Sequence, residues 1–401
     1  MTLLRDLDLL SAPTLKPLID GKALAKALAT PPGPWMKDAL EVVMAWQLRN
    51  PGVKDPAEAI DAVKKHGELT SALTKHFLAL TVRPLFAKAR LDSVTSTGRR
   101  NIDPGLPPKM GNTKEDETKP WKQGKEGHAL DLLAWCIKNL SPTTTEQFWP
   151  LLAPPIFTML DDWEVRYKTL GAKLLHSLLL QTPQTLLSRT GLGEVFEQAL
   201  LPCLTYLPEL TPVTESVEIM DAVYPALFTL ATTRHPLSDP KSLPGGRVAC
   251  LDTILRKGIF HTYQFCSQYP AILTTTFTHL STCLQLLGID TVKHLKFLIP
   301  MLTESLSHPT MATQSDALLA AVKAMQAVVL NAWPRMVDWR AEVLKGMCLC
   351  WINLGEGDAE VRKELREAVQ MLKAALGERV EWDADIAALV DADGRMEGLF
   401  A

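Results

Sequence analysis

The sequence lacks an excess of basic residues, a long apolar run and a paired set of cysteines, and each absence argues against a class of protein. Its 42 lysines and arginines are balanced by 45 aspartates and glutamates, for a formal net charge of -3. A protein that follows a phosphate backbone needs surplus cations to displace counterions. The charge balance therefore argues against nucleic acid as a partner.

Signals for export or membrane insertion are missing as well. Residues 1–10 carry one arginine and two aspartates among the leucines, unlike the basic start and apolar core of a secretory signal. The leucine-rich run at 174–180 contains a histidine and is far shorter than the roughly 18 apolar residues that span a bilayer. We therefore expect an intracellular protein without a membrane segment.

The cysteines do not form a recognisable framework. There are 7 of them, an odd number, dispersed through leucine-rich stretches, so reduced thiols packed as small apolar groups are expected. Cys348 and Cys350 are the closest pair. On a helix, residues two apart point about 200° away from each other, so a structural role is favoured over a metal or redox pair.

Motifs that carry chemistry are also lacking. The chain contains no G-x-x-x-x-G-K-[ST] loop, no H-E-x-x-H, no G-x-S-x-G elbow and no C-x-x-C pair. Asp161 and Asp162 resemble an acidic dyad, but helix capping accounts for both. We therefore expect no catalytic residue, no cofactor and no metal site, and predict that the protein is not an enzyme.

Helical periodicity with proline and glycine punctuation dominates what is present, and polar segments interrupt it. Residues 98–125 contain too few apolar side chains to offset the entropy of ordering them. The predicted domains are an N-terminal helical region (1–91), a polar flexible loop (92–126), a body of helical repeats (127–376) and a C-terminal tail (377–401).

The best-defined unit is a helical hairpin over residues 143–182. Thr143 and Glu146 have the spacing of a capping box at the start of its first helix. Pro154 and Pro155 lie within that helix. Because each proline removes an amide donor and crowds the preceding turn, they are expected to bend it.

The second helix of this hairpin follows a turn in which Asp161 and Asp162 offer N-caps. Its predicted buried stripe comprises Trp163, Tyr167, Leu170, Leu174 and Leu178. The string LLAPPIFTMLDDWEVRYKTLGAKLL resembles a HEAT repeat. That resemblance implies that a turn aspartate pairs with Arg166 within or between repeats; a surface ion pair worth under about 1 kcal/mol is the alternative.

The hairpin pattern recurs along the chain. Prolines within predicted helices sit at Pro155, Pro202 and Pro300, at intervals of 47 and 98 residues, the second about twice the first. The shorter interval lies at the upper end of the roughly 40–47 residues of HEAT and armadillo units.

Two further helices have clear apolar stripes behind a capping residue. The first follows Ser315 and the second follows Asp358; the stripes are Leu318, Val322, Met325 and Val329, then Val361, Leu365, Ala368, Leu372 and Ala375. A hairpin cannot bury such a face alone, so neighbours must stack. We predict an all-α, HEAT/armadillo-like α-solenoid.

Tryptophans are numerous, and three of the 10 lie close together in the C-terminal third. Tryptophan and arginine often dominate interface energies. Trp339, Arg340 and Trp351 are therefore the predicted partner contacts, with core packing as the alternative.

A second resemblance is more specific. The stretch at 186–231, LLSRTGLGEVFEQALLPCLTYLPELTPVTESVEIMDAVYPALFTLA, preceded by FWPLLAPPIFTMLDD, resembles the central region of the Tel-two-interacting protein two family, especially its fungal members. WRAEVLKGMCLCWINL at 339–354 is also similar to that family. The resemblance covers about residues 121–376.

Local chemistry accounts for part of the SRTGLGEVFE motif. Ser188 or Thr190 can cap a helix that begins near Leu192. Gly191 and Gly193 permit the backbone angles of a tight entry. The motif therefore has a structural explanation beside a functional one.

The family resemblance implies a non-enzymatic subunit of the Triple T complex, bound to Tel-two and Tel-two-interacting protein one. It implies a co-chaperone adaptor that acts with the heat-shock-ninety machinery to mature and stabilise phosphatidylinositol-three-kinase-related kinases, in cytoplasm and nucleus. It brings no catalytic residues. Two other functions remain open from the residues themselves: a transport or cargo adaptor, and a HEAT-type DNA-binding or repair protein with a basic, aromatic groove.

Overall fold

The computed structural model describes residues 16–28, 35–50, 53, 55–86, 94–95, 97–101, 120–122, 128–236, 245–355, 357–377 and 380–401. They belong to two compact units, 1–88 with 119–144 and 89–118 with 145–401. Within the described ranges the regular structure is helical, and the β structure is one isolated bridge between Val94 and Arg100. The predicted all-α class is confirmed. The unit boundaries fall at positions other than the predicted domain boundaries, which stay a prediction.

The first unit contains short and medium helices around a small core. They are α1 (Gly21–Ala27), α2 (Trp35–Arg49), α3 (Pro56–His76), α4 (Arg83–Phe86) and α5 (His128–Lys138), with a π-helix at Phe77–Val82. Leu24, Val43 and Ala59 are fully buried where α2 packs on α3. Trp121, which lies in the predicted flexible loop, is 1% exposed and stacks on Phe86 with ring centroids 5.2 Å apart.

The second unit contains the remaining helices. They are α6 (Pro142–Leu160), α7 (Val165–Leu180), α8 (Gln184–Thr190), α9 (Leu192–Leu200), α10 (Val213–Arg234), α11 (Gly246–Ile254), α12 (His261–Cys266), α13 (Pro270–Leu287), α14 (Leu295–Ser307), α15 (Ser315–Asn331), α16 (Met336–Leu354), α17 (Ala359–Leu376), α18 (Trp382–Ala392) and α19 (Glu397–Phe400). The boundary between the units falls in the first turn of α6. A π-helix at Leu255–Phe260 joins α11 to α12, and Pro202 lies in a short 3-10 helix, Leu201–Thr205.

Helices of the second unit pack in successive hairpins. The second helix of each hairpin contacts the second helix of the next, in the order α7, α10, α13, α15 and α17. Among the first helices, α14 packs on α16 in the same way. Each helix thus covers the apolar stripe of its neighbours, which is the physical reason that the stripes read from the sequence are buried.

Most of the predicted stripes are confirmed. The four stripe residues of α15 are all buried, as are Val361, Leu365, Ala368 and Leu372 of α17. In α7, Tyr167, Leu174 and Leu178 are buried, whereas Leu170 of α7 and Ala375 of α17 are only half-buried. The prediction for Trp163 is wrong: it lies in the turn before α7 and is 67% exposed, because α7 begins only at Val165.

Of the five caps predicted from the sequence, one is confirmed, and those of α6 and α15 lie at other residues. Asp358 caps α17 by accepting from the amides of Glu360 and Val361 at 2.9 and 3.3 Å, as predicted. At α6, however, the Ser141 hydroxyl accepts from the Thr144 amide at 3.3 Å, so the box predicted two residues later is wrong. Ser315 is the first residue of α15 and the N-cap position is Gln314. Helix ends are commonly misplaced by a residue or two.

One stretch, Pro270–Ser307, is long and apolar enough to cross a membrane by length and composition. It comprises α13, α14 and the 3-10 helix between them. Of its most apolar window, 56% is buried inside the protein. Since a buried core helix passes the same test, this composition is accounted for by the packing of α13 on α10 and α15.

Candidate interaction surfaces

The first group of predicted residues surrounds the turn between α6 and α7. Pro154 and Pro155 lie inside α6, Pro155 buried and Pro154 half-buried. The Cβ that Gly171 of α7 lacks would lie 3.0 Å from Cβ of Met159, so the two helices approach closely here. The helical placement of the prolines agrees with the sequence, and the predicted bend stays a prediction.

Asp162 orders this turn without capping α7. Asp162 is 1% exposed and its Oδ1 accepts from the Glu164 amide at 2.9 Å. Glu164 occupies the N-cap position, so the prediction that Asp161 or Asp162 is the N-cap is wrong. Arg166 Nη2 lies 2.8 Å from Glu164 Oε2 and its guanidinium lies over Tyr167. Because Arg166 is 71% exposed, this pair contributes under about 1 kcal/mol.

A second group forms the corner between α8 and α9. Gly191 has φ +67°, a left-handed conformation that favours glycine, and α9 begins at Leu192 as predicted. Thr190 donates from Oγ1 to the Leu186 carbonyl at 2.8 Å, within its own helix. Ser188 likewise bonds back into α8. The prediction that Ser188 or Thr190 caps α9 is therefore wrong.

Gly193 serves a different purpose from Gly191. It lies within α9, and its φ is not positive. A Cβ at this position would lie 2.7 Å from Cδ and 2.8 Å from Nε of Arg234, the last residue of α10. Glycine is needed here because the arginine side chain crosses directly over the helix backbone.

The crossing arginine belongs to a network of four charges, which we call the corner network: Arg100, Glu194, Glu197 and Arg234. Arg234 Nη1 lies 2.5 Å from Glu197 Oε2, and Nη2 lies 3.9 Å from Glu194 Oε1. Arg100 Nη1 lies 2.5 Å from Glu194 Oε2. The Arg234–Glu197 side chains are only 17% and 21% exposed, whereas those of Arg100 and Glu194 are about half exposed. The inner pair is therefore screened less by solvent.

Arg100 reaches the corner on an ordered turn. The Thr95 amide donates to the Arg99 carbonyl at 2.9 Å, and Trp149 Nε1 donates to the Gly98 carbonyl at 3.0 Å. The Arg100 amide donates to the Thr190 carbonyl at 3.0 Å. Residues 94–101 begin the predicted flexible loop, yet their described part is held against α6 and α8.

A shallow cavity of about 210 Å³ opens beside the corner network. Its walls include Ser188, Gly191, Glu194 and His235. Burial, with the nearby charge of Arg234, lowers the pKa of His235. A neutral imidazole therefore faces the cavity at physiological pH.

The third group lies on α16 under the C-terminal segment. Trp339 and Arg340 are half-buried, and Arg340 Nε lies 3.0 Å from Asp385 Oδ2 of α18. Trp351 is 2% exposed, and its Nε1 donates to the Arg395 carbonyl at 2.9 Å. Residues 382–401 thus cover two of the three predicted contacts.

Cationic side chains complete the cover of Trp351. The guanidinium of Arg362 lies 3.8 Å from the indole centroid and that of Arg366 lies 5.1 Å from it. Arg366 Nε also donates to the Gly398 carbonyl at 2.8 Å. Trp351 therefore packs as a core residue in the isolated chain, and the role of Trp339, Arg340 and Trp351 in partner binding stays a prediction.

Reactive chemistry is sparse among the described residues. All seven cysteines are free, and all but Cys250 are buried. Burial raises the pKa of Cys348 to about 11 and that of Cys350 to about 12. Within the described ranges, no group of three or more His, Cys, Asp or Glu is arranged to hold a metal ion.

Sequence reasoning missed the corner network. Arg100, Glu197 and Arg234 come from three elements far apart in the chain, and no spacing rule connects them. Gly193 followed by Glu194 was the one local signal, since a glycine inside a helix often marks a close approach.

Comparison with known proteins places the chain in a family. TELO2-interacting protein 2 of Mus musculus is 22% identical over 289 residues, which is 70% of this chain and 51% of that protein. Nucleotidyltransferase lcsQ of Purpureocillium lilacinum is 54% identical over 59 residues, 15% of this chain and 10% of that protein. The chain thus spans about half the length of the mouse relative and a tenth of the other.

No solved structure matches the chain. The model of the Tti2 family matches residues 50–313. That range includes the corner network and the turn between α6 and α7, and it ends before α16. Because the match covers more than half of the chain, this protein belongs to the Tti2 family.

Proposed function

We propose that the protein is a non-enzymatic scaffold subunit of a Triple T complex. The observation that carries the proposal is the family match over residues 50–313. The mouse relative is named for its interaction with TELO2. By extension, the partners proposed here are Tel-two and Tel-two-interacting protein one.

The proposed architecture is a HEAT/armadillo-like α-solenoid. Its support is the sequence of contacts α7–α10–α13–α15–α17, together with α14 on α16. Stacked hairpins that contact only their neighbours produce an extended surface, which is the surface that a scaffold uses to bind other proteins. The sequence predicts a repeat body at 127–376, and that division stays a prediction.

The cellular role follows from the proposed complex. With the heat-shock-ninety machinery, the subunit supports the maturation and stability of phosphatidylinositol-three-kinase-related kinases in cytoplasm and nucleus. It needs no cofactor for this role. A scaffold contributes binding energy and geometry, and no bond is made or broken on it.

Reconstitution tests the proposed complex. The full chain is mixed with purified Tel-two and Tel-two-interacting protein one of the same organism, and size-exclusion chromatography with light scattering reports the assembly. A stoichiometric ternary complex is expected. A chain that elutes alone at micromolar concentration would refute the proposed function.

The predicted contacts on α16 are tested in the same assay. Trp339→Ala and Arg340→Glu are expected to weaken assembly by roughly 1–2 kcal/mol each. Trp163→Ala is the matched control, because Trp163 is exposed and lies at the distant turn before α7. Equal losses for Trp163 and Trp339 would remove α16 from the interface.

The absence of catalysis is tested against the one relative with an enzymatic name. The full chain is incubated with nucleoside triphosphates and Mg²⁺, with DNA, RNA and protein acceptors, and label transfer is measured. No transfer above that of a heat-treated sample is expected. Transfer that scales with protein concentration would show an enzyme.

A further inference from the structure

An aromatic contact joins two neighbouring first helices on the outside of the second unit. The ring of Phe260, at the end of the π-helix before α12, lies 4.1 Å from that of Phe297 on α14, centroid to centroid. Phe297 remains 42% exposed and Phe260 is partly exposed. Contact between this exposed apolar surface and water is unfavourable. A partner that covered both rings would remove that contact.

The two helices run in the same direction beneath this contact. Phe260 meets Phe297, and three residues later the Tyr263 hydroxyl lies 3.2 Å from the Met301 carbonyl oxygen and 3.1 Å from Glu304 Oε2, either of which can accept its one proton. Residues before Phe260 and before Phe297 therefore lie at the same end of the face. The residue types along the face can therefore be followed from the N-terminal to the C-terminal ends of both helices.

Basic residues outnumber the two carboxylates at the leading end, one of which, Asp252, lies 2.6 Å from His294 Nε2. Arg256, Lys257 and Lys296 are exposed, and none of them lies within 4 Å of a carboxylate in the described part of the chain. Lys293, one turn before Lys296, pairs with Asp290 at 2.6 Å. We call Arg256, Lys257, Phe260, Lys296 and Phe297 the basic–aromatic face.

A groove continues the face in the other direction. It has a volume of about 540 Å³ and is lined by Tyr263, Gln268, Pro270, Glu304, Ser305 and His308, among others. Ser305 is buried, and its hydroxyl donates to Tyr263 at 3.3 Å. The order along the surface is thus cations, aromatic rings and then a polar groove that carries a carboxylate.

We infer that the basic–aromatic face docks a segment of a partner protein in which carboxylates precede apolar side chains. The carboxylates lie over Lys257 and Lys296, and the apolar side chains cover Phe297. Charge complementarity argues for this occupant, because unpaired cations at one end and bare aromatic surface beyond them match both halves of such a segment.

A phosphate backbone fits this face less well. Nucleic acid needs cations along the whole track, whereas here the cations end at the rings and Glu304 follows. The formal net charge of -3 adds no attraction. The inference holds for any protein partner and does not depend on membership of the Triple T complex.

Binding of a labelled peptide to the full chain tests the inference. The probe has a glutamate-rich first half and a second half with phenylalanine and leucine at helical spacing, and fluorescence anisotropy reports its affinity. Lys257→Glu with Lys296→Glu is expected to weaken binding at least about tenfold, because attraction is lost and repulsion is gained at both positions. Added salt is expected to weaken binding of the unmodified chain.

The matched control is Lys173→Glu with Lys323→Glu, two exposed lysines on α7 and α15. It makes the same change in net charge away from the face and is expected to leave affinity within about twofold. A peptide with lysines in place of the glutamates is expected to bind the Lys257→Glu, Lys296→Glu variant better than it binds the natural chain. Phe297→Ala is expected to weaken the original peptide several-fold without changing its salt dependence.

Three results would overturn the inference. The first is no saturable binding of the acidic–apolar peptide by the natural chain. The second is the same loss of affinity in both double variants. The third is tighter binding of duplex DNA than of the peptide, lost on reversal of Lys257 and Lys296, which would assign the cations to phosphate.

Discussion

Replacing Gly193 by alanine changes stability in a direction that depends on one distant side chain. Alanine inside a helix is favoured over glycine by roughly 0.5–1 kcal/mol. At this position, however, the new Cβ would lie 2.7 Å from Cδ of Arg234. The arginine must move, and we expect the movement to break its 2.5 Å pair with Glu197.

The cost of that break exceeds the helical gain. Breaking a fully buried ion pair costs roughly 3–5 kcal/mol of folding free energy, because one charge is left buried and unpaired. Arg234 and Glu197 are each about four-fifths buried. We therefore expect a cost of about 2–3 kcal/mol here. Gly193→Ala is therefore expected to destabilise the second unit by about 1–2.5 kcal/mol. In an Arg234→Ala background the obstruction is gone, and the same substitution should stabilise by roughly 0.5–1 kcal/mol.

Hydrogen exchange of the α9 and α10 amides is the appropriate assay, because a chain with two units need not unfold in one transition. Gly67→Ala in α3 is the control, since no atom lies within 4 Å of the added Cβ; it should slow exchange of the α3 amides in both backgrounds. If Gly193→Ala stabilises the natural chain as much as it stabilises the Arg234→Ala chain, the contact with Arg234 is not the reason that glycine occupies position 193.

Three further predictions concern the cysteines and the C-terminal region. Cys250 is half-exposed and the other six cysteines are buried, so at neutral pH a thiol reagent should modify Cys250 alone and reach all seven only in denaturant. Burial raises the pKa of Cys203 to about 11 and of Cys136 to about 12, and burial together with Glu197 raises the pKa of Cys250, so even Cys250 should react slowly. Trp351→Phe removes the bond to the Arg395 carbonyl and should cost about 1 kcal/mol, whereas Trp351→Ala should cost roughly 3–5 kcal/mol and expose residues 380–401 to limited proteolysis. The pKa of Asp358 is held below 3.8 by hydrogen bonds from the Ser315 side chain and from the two amides that Asp358 caps. The stability that the Asp358 carboxylate contributes is therefore complete above that pH and is lost as pH falls through the folded pKa. The difference in stability between the natural chain and Asp358→Asn should vanish in acid.

Local pattern predicted a large part of this fold. The stripes of α15 and α17, the cap at Asp358 and the helix start at Leu192 follow from spacing and residue type, which act within one or two turns. The same rules misplaced the caps of α6, α7, α9 and α15 because several capping residues lie close together at each start. Serines, threonines and aspartates in a row compete for the same amides, and packing selects among them.

Partner contacts were harder to predict from sequence. Trp351 has the residue type of an interface anchor, yet it is covered by residues more than forty positions later in the chain. Trp163 has the spacing of a core residue, yet it lies exposed before its helix begins. Residue type states what a side chain can do, whereas exposure depends on which segment packs over it.

By itself, the sequence determined the helical class, the hairpin periodicity, the buried stripes and the left-handed corner at Gly191, because each depends on residues within a few turns. Only the tertiary structure decided that Arg234 crosses Gly193, that Arg100 completes the corner network, and that Lys257 and Lys296 lie at one end of an aromatic face. Those contacts depend on how helices separated by tens of residues cross, and periodicity within a helix carries no information about the crossing.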